Sequence, residues 1–179
     1  MKLLHTLYIC FFNLLLFTSL NAQDVQFPED WTGRWEGTLE IFSRSRMVRS
    51  IPMAVEVTNE GAEGLFSITY GEGPEADVRP YRWHTIEADI GHFRIDEENG
   101  IYLDAFLADN CMMERFDVMK SALLTRFCLQ EGNLIFETLS TSTEPSWTSG
   151  DTIINADTIP PVESYFIPVV QKAVLQPAE

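Results

Sequence analysis

His84 and His92, with Glu87 and Asp96 near them, are the residues best suited to chemistry, because imidazole beside carboxylate builds both metal sites and general bases. A turn at Ala88 to Gly91 would set the two histidines on adjacent strands. The register that brings them together also sets Arg82 opposite Arg94, and facing like charges are unfavourable. Ordinary surface histidines and no metal site are therefore expected. Asp96-Glu97-Glu98-Asn99-Gly100 offers oxygen ligands without the spacing of a calcium loop, and reads as an acidic, solvated hairpin turn. The chain has no Gly-x-Ser-x-Gly elbow, no phosphate-cradling glycine loop and no Cys-x-x-Cys pair. No catalytic residues, no enzymatic activity and no cofactor are expected.

Binding has more candidates. Arg44, Arg46 and Arg49 follow the first strand in a chain with 12 basic and 27 acidic residues. Their guanidinium groups could hold an anionic ligand group at a barrel mouth, or pair with local acids. Tyr81, Trp83, Phe93, Phe116, Phe127 and Phe136 fall on inward positions of strand candidates, where they either fill a core or line an apolar pocket. The net charge of −15 repels nucleic acid and anionic lipid.

Met1-Lys2 leads into an apolar run that closes with Ser19-Leu20-Asn21-Ala22, the pattern of an export signal. Cleavage between Ala22 and Gln23 is expected. Residues 1–22 would be the signal peptide and 23–179 a single domain, periplasmic or extracellular, with no lipid or stable membrane anchor. Removing Lys2 leaves 11 basic against 27 acidic residues. Two cysteines then remain, Cys111 and Cys128, placed almost symmetrically about Met119-Lys120. A hairpin turning there would set them opposite each other for a disulfide; otherwise they pack as small hydrophobes.

The elements that must position these residues repeat with a period of two. Gly33, Trp35, Gly37, Leu39 and Ile41 share one face of a first strand, and Ile51 to Val57 and Phe66 to Tyr70 follow suit. Further strands are expected at Tyr81 to Glu87, Gly91 to Ile95, Ile101 to Leu107, Met112 to Val118, Ala122 to Leu129 and Leu134 to Leu139. Asn99-Gly100 and Glu131-Gly132-Asn133 supply tight turns. Ser140 to Val162 reads as a long polar loop, with a short strand at Thr152 to Asn155. Glu163 to Gln176 suits a closing strand better than a helix, since Pro168 breaks a helix interior. A long meander must close to hide its edges, so the fold class is all-β, an antiparallel up-and-down β-barrel of about 8–10 strands.

Trp31, with Gly33-Arg34-Trp35 and the Phe27-Pro28-Glu29-Asp30 lead-in, resembles the Gly-x-Trp opening of the calycin superfamily, which includes lipocalins, fatty-acid-binding proteins and avidins. The resemblance implies a lipocalin-like barrel sealed at one end by Trp35, with a ligand cavity at the other and structural roles for Trp31, Gly33, Trp35 and Gly37. Arg94 to Ile101 and Gln171 to Leu175 are similar to an uncharacterised family of exported bacterial proteins with lipocalin-like barrels. The leading expectation is binding of a small hydrophobic or amphipathic molecule, with the 140–162 segment as a lid. The competing expectation is an envelope protein with a solid core that works through protein contacts.

Overall fold

The computed structural model describes residues 26–178. The expected signal peptide, residues 1–22, lies outside them. Ten strands close into an antiparallel barrel: β1 (Gly33–Ser43), β2 (Arg46–Val57), β3 (Glu63–Tyr70), β4 (Asp77–Glu87), β5 (His92–Asp96), β6 (Tyr102–Ala108), β7 (Cys111–Val118), β8 (Ser121–Gln130), β9 (Asn133–Ser142) and the C-terminal strand, β14 (Val169–Pro177). Each strand pairs with its neighbour in the chain, and β14 joins β9 to β1. Both sides of β14 find partners, which decides the ambiguous Glu163 to Gln176 segment in favour of a strand. Pro168 stands just before that strand, where its missing N–H costs no ladder bond.

Alternation sets the core. Leu39, Met53, Val55, Val57, Phe66, Ile95, Met112, Phe127, Leu134, Phe136 and Leu175 all point inward and are buried. The hairpins turn where positive φ is available, as at Asp109-Asn110 and Glu131-Gly132, whose paired left-handed residues match the twist of the flanking strands. Cys111 and Cys128 are register partners on β7 and β8 and form a disulfide, with Cα atoms 4.0 Å apart.

The 140–162 segment is more ordered than a loop. β9 runs on to Ser142, and the chain then makes a hairpin arm of two short ladders. β10 (Trp147–Ser149) pairs with β13 (Val162–Ser164), and β11 (Thr152–Ile154) with β12 (Asp157–Ile159). Gly150-Asp151 and Pro160-Pro161 interrupt the two ladders at the same height, because proline cannot donate and Gly150 needs positive φ. Among the described residues no helix is long and apolar enough to cross a membrane.

Candidate functional site

One end of the barrel is plugged. A short 3-10 turn, Glu29–Trp31, inserts Trp31, which has no exposed surface. Phe27 packs edge-on against Trp31, Trp83 and Phe93, with ring centroids 5.1–5.3 Å apart. Trp35 Nε1 donates to the Trp31 carbonyl at 2.8 Å, and Trp83 Nε1 to the Thr58 carbonyl at 2.9 Å. The buried Trp31 Nε1 has no partner among the described residues. The plug is thus built by three tryptophans rather than by Trp35 alone. Gly37 serves the seam: a Cβ there would run into the Val174 carbonyl, so its absence lets β14 approach β1. Gly33 has open space around it and a φ of 133° that side chains rarely adopt.

The other end is open onto a cavity of about 920 Å³. Its apolar surface comes from Leu39, Phe66, Ile95, Phe116, Phe127 and Phe136, and its mouth carries Arg49, Tyr70, Asp77, Arg79, Tyr81 and Glu97. Arg79 lies over the Tyr70 ring at 5.1 Å and pairs with Asp77 at 2.9 Å. Burial pushes the Tyr70 hydroxyl up to about 12, against the opposing pull of Arg79.

Between floor and mouth runs a polar rung. Register sets Glu114 of β7 beside Thr125 of β8, Thr125 beside Thr138 of β9, and Thr138 beside Gln171 of β14. All four line the cavity. The Thr125 and Thr138 hydroxyls are 3.0 Å apart and bonded to each other. Glu114 is 8% exposed, and no described residue donates a hydrogen bond from a side chain to its carboxyl. Burial first, and the charge of Glu97 second, raise its pKa to about 7.

Of the residues singled out from sequence, Arg49, Tyr81, Phe116, Phe127 and Phe136 meet in this cavity. Trp83 does not: it belongs to the plug and is fully buried below. Arg44 sits in the β1–β2 turn with φ 57°, and Arg46 is exposed at the start of β2; of the three arginines only Arg49 lines the cavity. The arm springs from the rim at the open end, yet none of its residues 143–168 lines the cavity. The histidines are separated, because a bulge at Ile86 sets His84 opposite Arg94 and Arg82 opposite Asp96. His84 Nδ1 lies 3.0 Å from Glu63, and His92 Nε2 lies 3.0 Å from Asp104. His92 and then Arg94 hold the Asp104 carboxyl below its usual range. No cluster of metal ligands forms among the described residues.

Glu114, Thr125, Thr138, Gln171 and Arg79 were not anticipated as site residues. The first four carry a signal: each is a polar residue in the inward phase of its strand, such as Glu114 between Met112 and Phe116. Arg79 lies on the part of β4 that precedes Tyr81, where alternation of buried and exposed residues fades.

Fold and site define a class: a closed ten-stranded antiparallel β-barrel, plugged at one end and hollow at the other. No family model matches the chain, and no curated protein does. Among solved structures, a protein of unknown function of the DUF3598 family from Nostoc punctiforme is similar in fold. It superposes with a TM-score of 0.53 at 11% identity, over 84% of this chain and 48% of its own. The chain thus spans about half the length of that protein, and the likeness is one of fold.

Proposed function

We propose that the protein is an exported, calycin-like barrel that holds a small, partly apolar molecule in its interior and catalyses no reaction on it. The observation that carries this is the cavity of about 920 Å³. It falls within the range of roughly 300–1,000 Å³ found for small-molecule sites, and it joins apolar walls to a few placed polar groups, the usual composition of such sites. The plugged end matches what the Gly-x-Trp resemblance implies for a binding barrel. The Cys111–Cys128 disulfide suits an oxidising compartment outside the cytosol. A solid barrel that acts only through its surface accords poorly with an open interior of this size.

Native mass spectrometry of the protein purified from its own host tests the proposal. A small molecule should accompany the chain and leave on denaturation. Protein that carries no adduct and also fails to bind Nile red, a neutral apolar probe, would overturn it.

A further inference from the structure

The polar rung bears on which molecule the cavity takes. An unpartnered carboxyl costs the fold free energy, and one aimed into a cavity can be satisfied by an occupant. Glu114 is such a group, nine-tenths buried, with Ala105 and Thr125 as its flanking register partners on β6 and β8. Neither neighbour carries a charge. Thr125 and Thr138 are already bonded to each other, and each hydroxyl oxygen keeps acceptor capacity toward the cavity.

The charges around the cavity point the same way. Arg79 is held by Asp77 at 2.9 Å, and Asp117 by Arg115 at 2.9 Å. Arg49 then stands against Glu75, Glu97 and Glu114 among the remaining lining groups, an acidic excess. Below the rung, Phe66 meets Phe127 edge-on at 5.0 Å and Phe127 meets Phe136 at 4.8 Å, a continuous aromatic floor. A carboxylate ligand would meet Glu114 as a like charge. A neutral ligand would leave the carboxylate without a counter-charge. A cation satisfies it and relieves the acidic excess.

We propose that the cavity selects an amphipathic amine, its ammonium held by the Glu114 carboxylate and the Thr125 and Thr138 hydroxyls, its apolar body against Phe66, Phe127 and Phe136. The inference rests on the binding reading above and names the ligand class for it. Recognition requires the ionised carboxylate, and in the empty cavity burial and Glu97 hold the Glu114 pKa at about 7. The other titratable or charged groups lining this space are Arg49, Tyr70, Glu75, Asp77, Arg79, Tyr81, Glu97, Tyr102 and Asp117. Affinity for an ammonium should therefore fall about tenfold between roughly pH 8 and pH 6, as the ionised fraction of Glu114 falls.

The test is titration calorimetry of the purified protein with octylamine, octanol and octanoate, which share a chain and differ in headgroup. Octylamine should bind roughly tenfold or more tightly than octanol at about pH 8, with octanoate weakest, since a charge-assisted bond separates them. That advantage should shrink toward pH 6 for the amine and not for the alcohol. Glu114→Gln should bring octylamine to the level of octanol. Equal binding of the three, tighter binding of octanoate, or an amine preference indifferent to pH would overturn the amine inference and leave the cavity-binding reading standing. Failure of all three compounds to bind would overturn both. The wild-type series and its pH profile decide the matter without the variant.

Discussion

Replacing Glu114 by Gln should stabilise the protein at about pH 8 and leave it nearly unchanged at about pH 4, because the carboxyl pays for its burial only when it is ionised. The folded protein raises this pKa from 4.5 to about 7, by burial first and the charge of Glu97 second. A raised pKa means that the folded chain holds the proton more tightly than the unfolded one. The resulting stabilisation is complete below about 4.5, declines as pH rises, and is lost above about 7. At about 1.36 kcal/mol for each pH unit of displacement, the ionised group costs the fold about 3 kcal/mol. Gln keeps the shape and cannot ionise, and its amide is without a partner just as the protonated carboxyl is, so the two proteins match at about pH 4. The expected gain at the higher pH is therefore the full cost of ionisation, about 3 kcal/mol. With a urea dependence of roughly 1–3 kcal/mol per molar, the midpoint should rise by about 1–3 M. Urea unfolding of both proteins at both pH values, followed by tryptophan fluorescence, isolates this group because every other titration is common to the pair. An equal shift at the two pH values, or a variant less stable at about pH 8, would mean that the carboxyl is solvated and the reasoning wrong.

Trp35→Ala should cost about 3–5 kcal/mol, since it opens a cavity beneath the plug and removes the 2.8 Å bond to the Trp31 carbonyl. Trp147→Ala, at a site 71% exposed on the arm, should cost under about 1 kcal/mol; equal urea midpoints for the two would contradict the plug. Loss of the Cys111–Cys128 bridge, which spans 17 residues, should cost up to about 3 kcal/mol, less what the hairpin already constrains. Thiol titration of oxidised, unfolded protein should find neither of these two cysteines free. Gly64→Ala should cost roughly 1–3 kcal/mol by overpacking, because a Cβ there meets both the Thr58 carbonyl and the Trp83 indole nitrogen that bonds it; an unchanged thermal midpoint would count against that contact.

The barrel was legible in the sequence wherever a strand has one wet face and one dry face. Trp35, Gly37, Leu39 and Ile41, or Phe66, Ile68 and Tyr70, alternate because the pleat alternates, and the turns between such strands use residues that accept positive φ. The reading weakened at the mouth. There β2 extends back to Arg46 and β4 back to Asp77, and both faces of those ends meet solvent, so the period-two signal vanishes while the ladder continues. Arg79 was missed for that reason. Of the arm only the short strand at Thr152 to Asn155 was legible, found as β11; the other three-residue strands, broken by Gly150 and Pro160-Pro161, leave too few positions for any period to register.

Parity tells which face a side chain takes and says nothing of its height along the barrel. Trp83 and Tyr81 share the inward phase of β4, yet Tyr81 reaches the mouth and Trp83 the plug, because β4 runs from the open end to the closed one. Height comes from inter-strand register, which a single strand's sequence does not contain. The same distinction explains why this barrel is hollow. A closed ten-stranded barrel is wider than the eight-stranded kind whose side chains can just fill the interior, so filling it takes large groups or an inserted segment. At the closed end both are supplied, by Trp35 and Trp83 from the strands and by Phe27 and Trp31 from the N-terminal turn. At the height of the rung the inward positions of β7, β8, β9 and β14 are held by Glu114, Thr125, Thr138 and Gln171, none of which spans the gap. The interior stays open at the level of these buried and half-buried polar groups, with apolar surface below them, which is the combination the proposed amine would use.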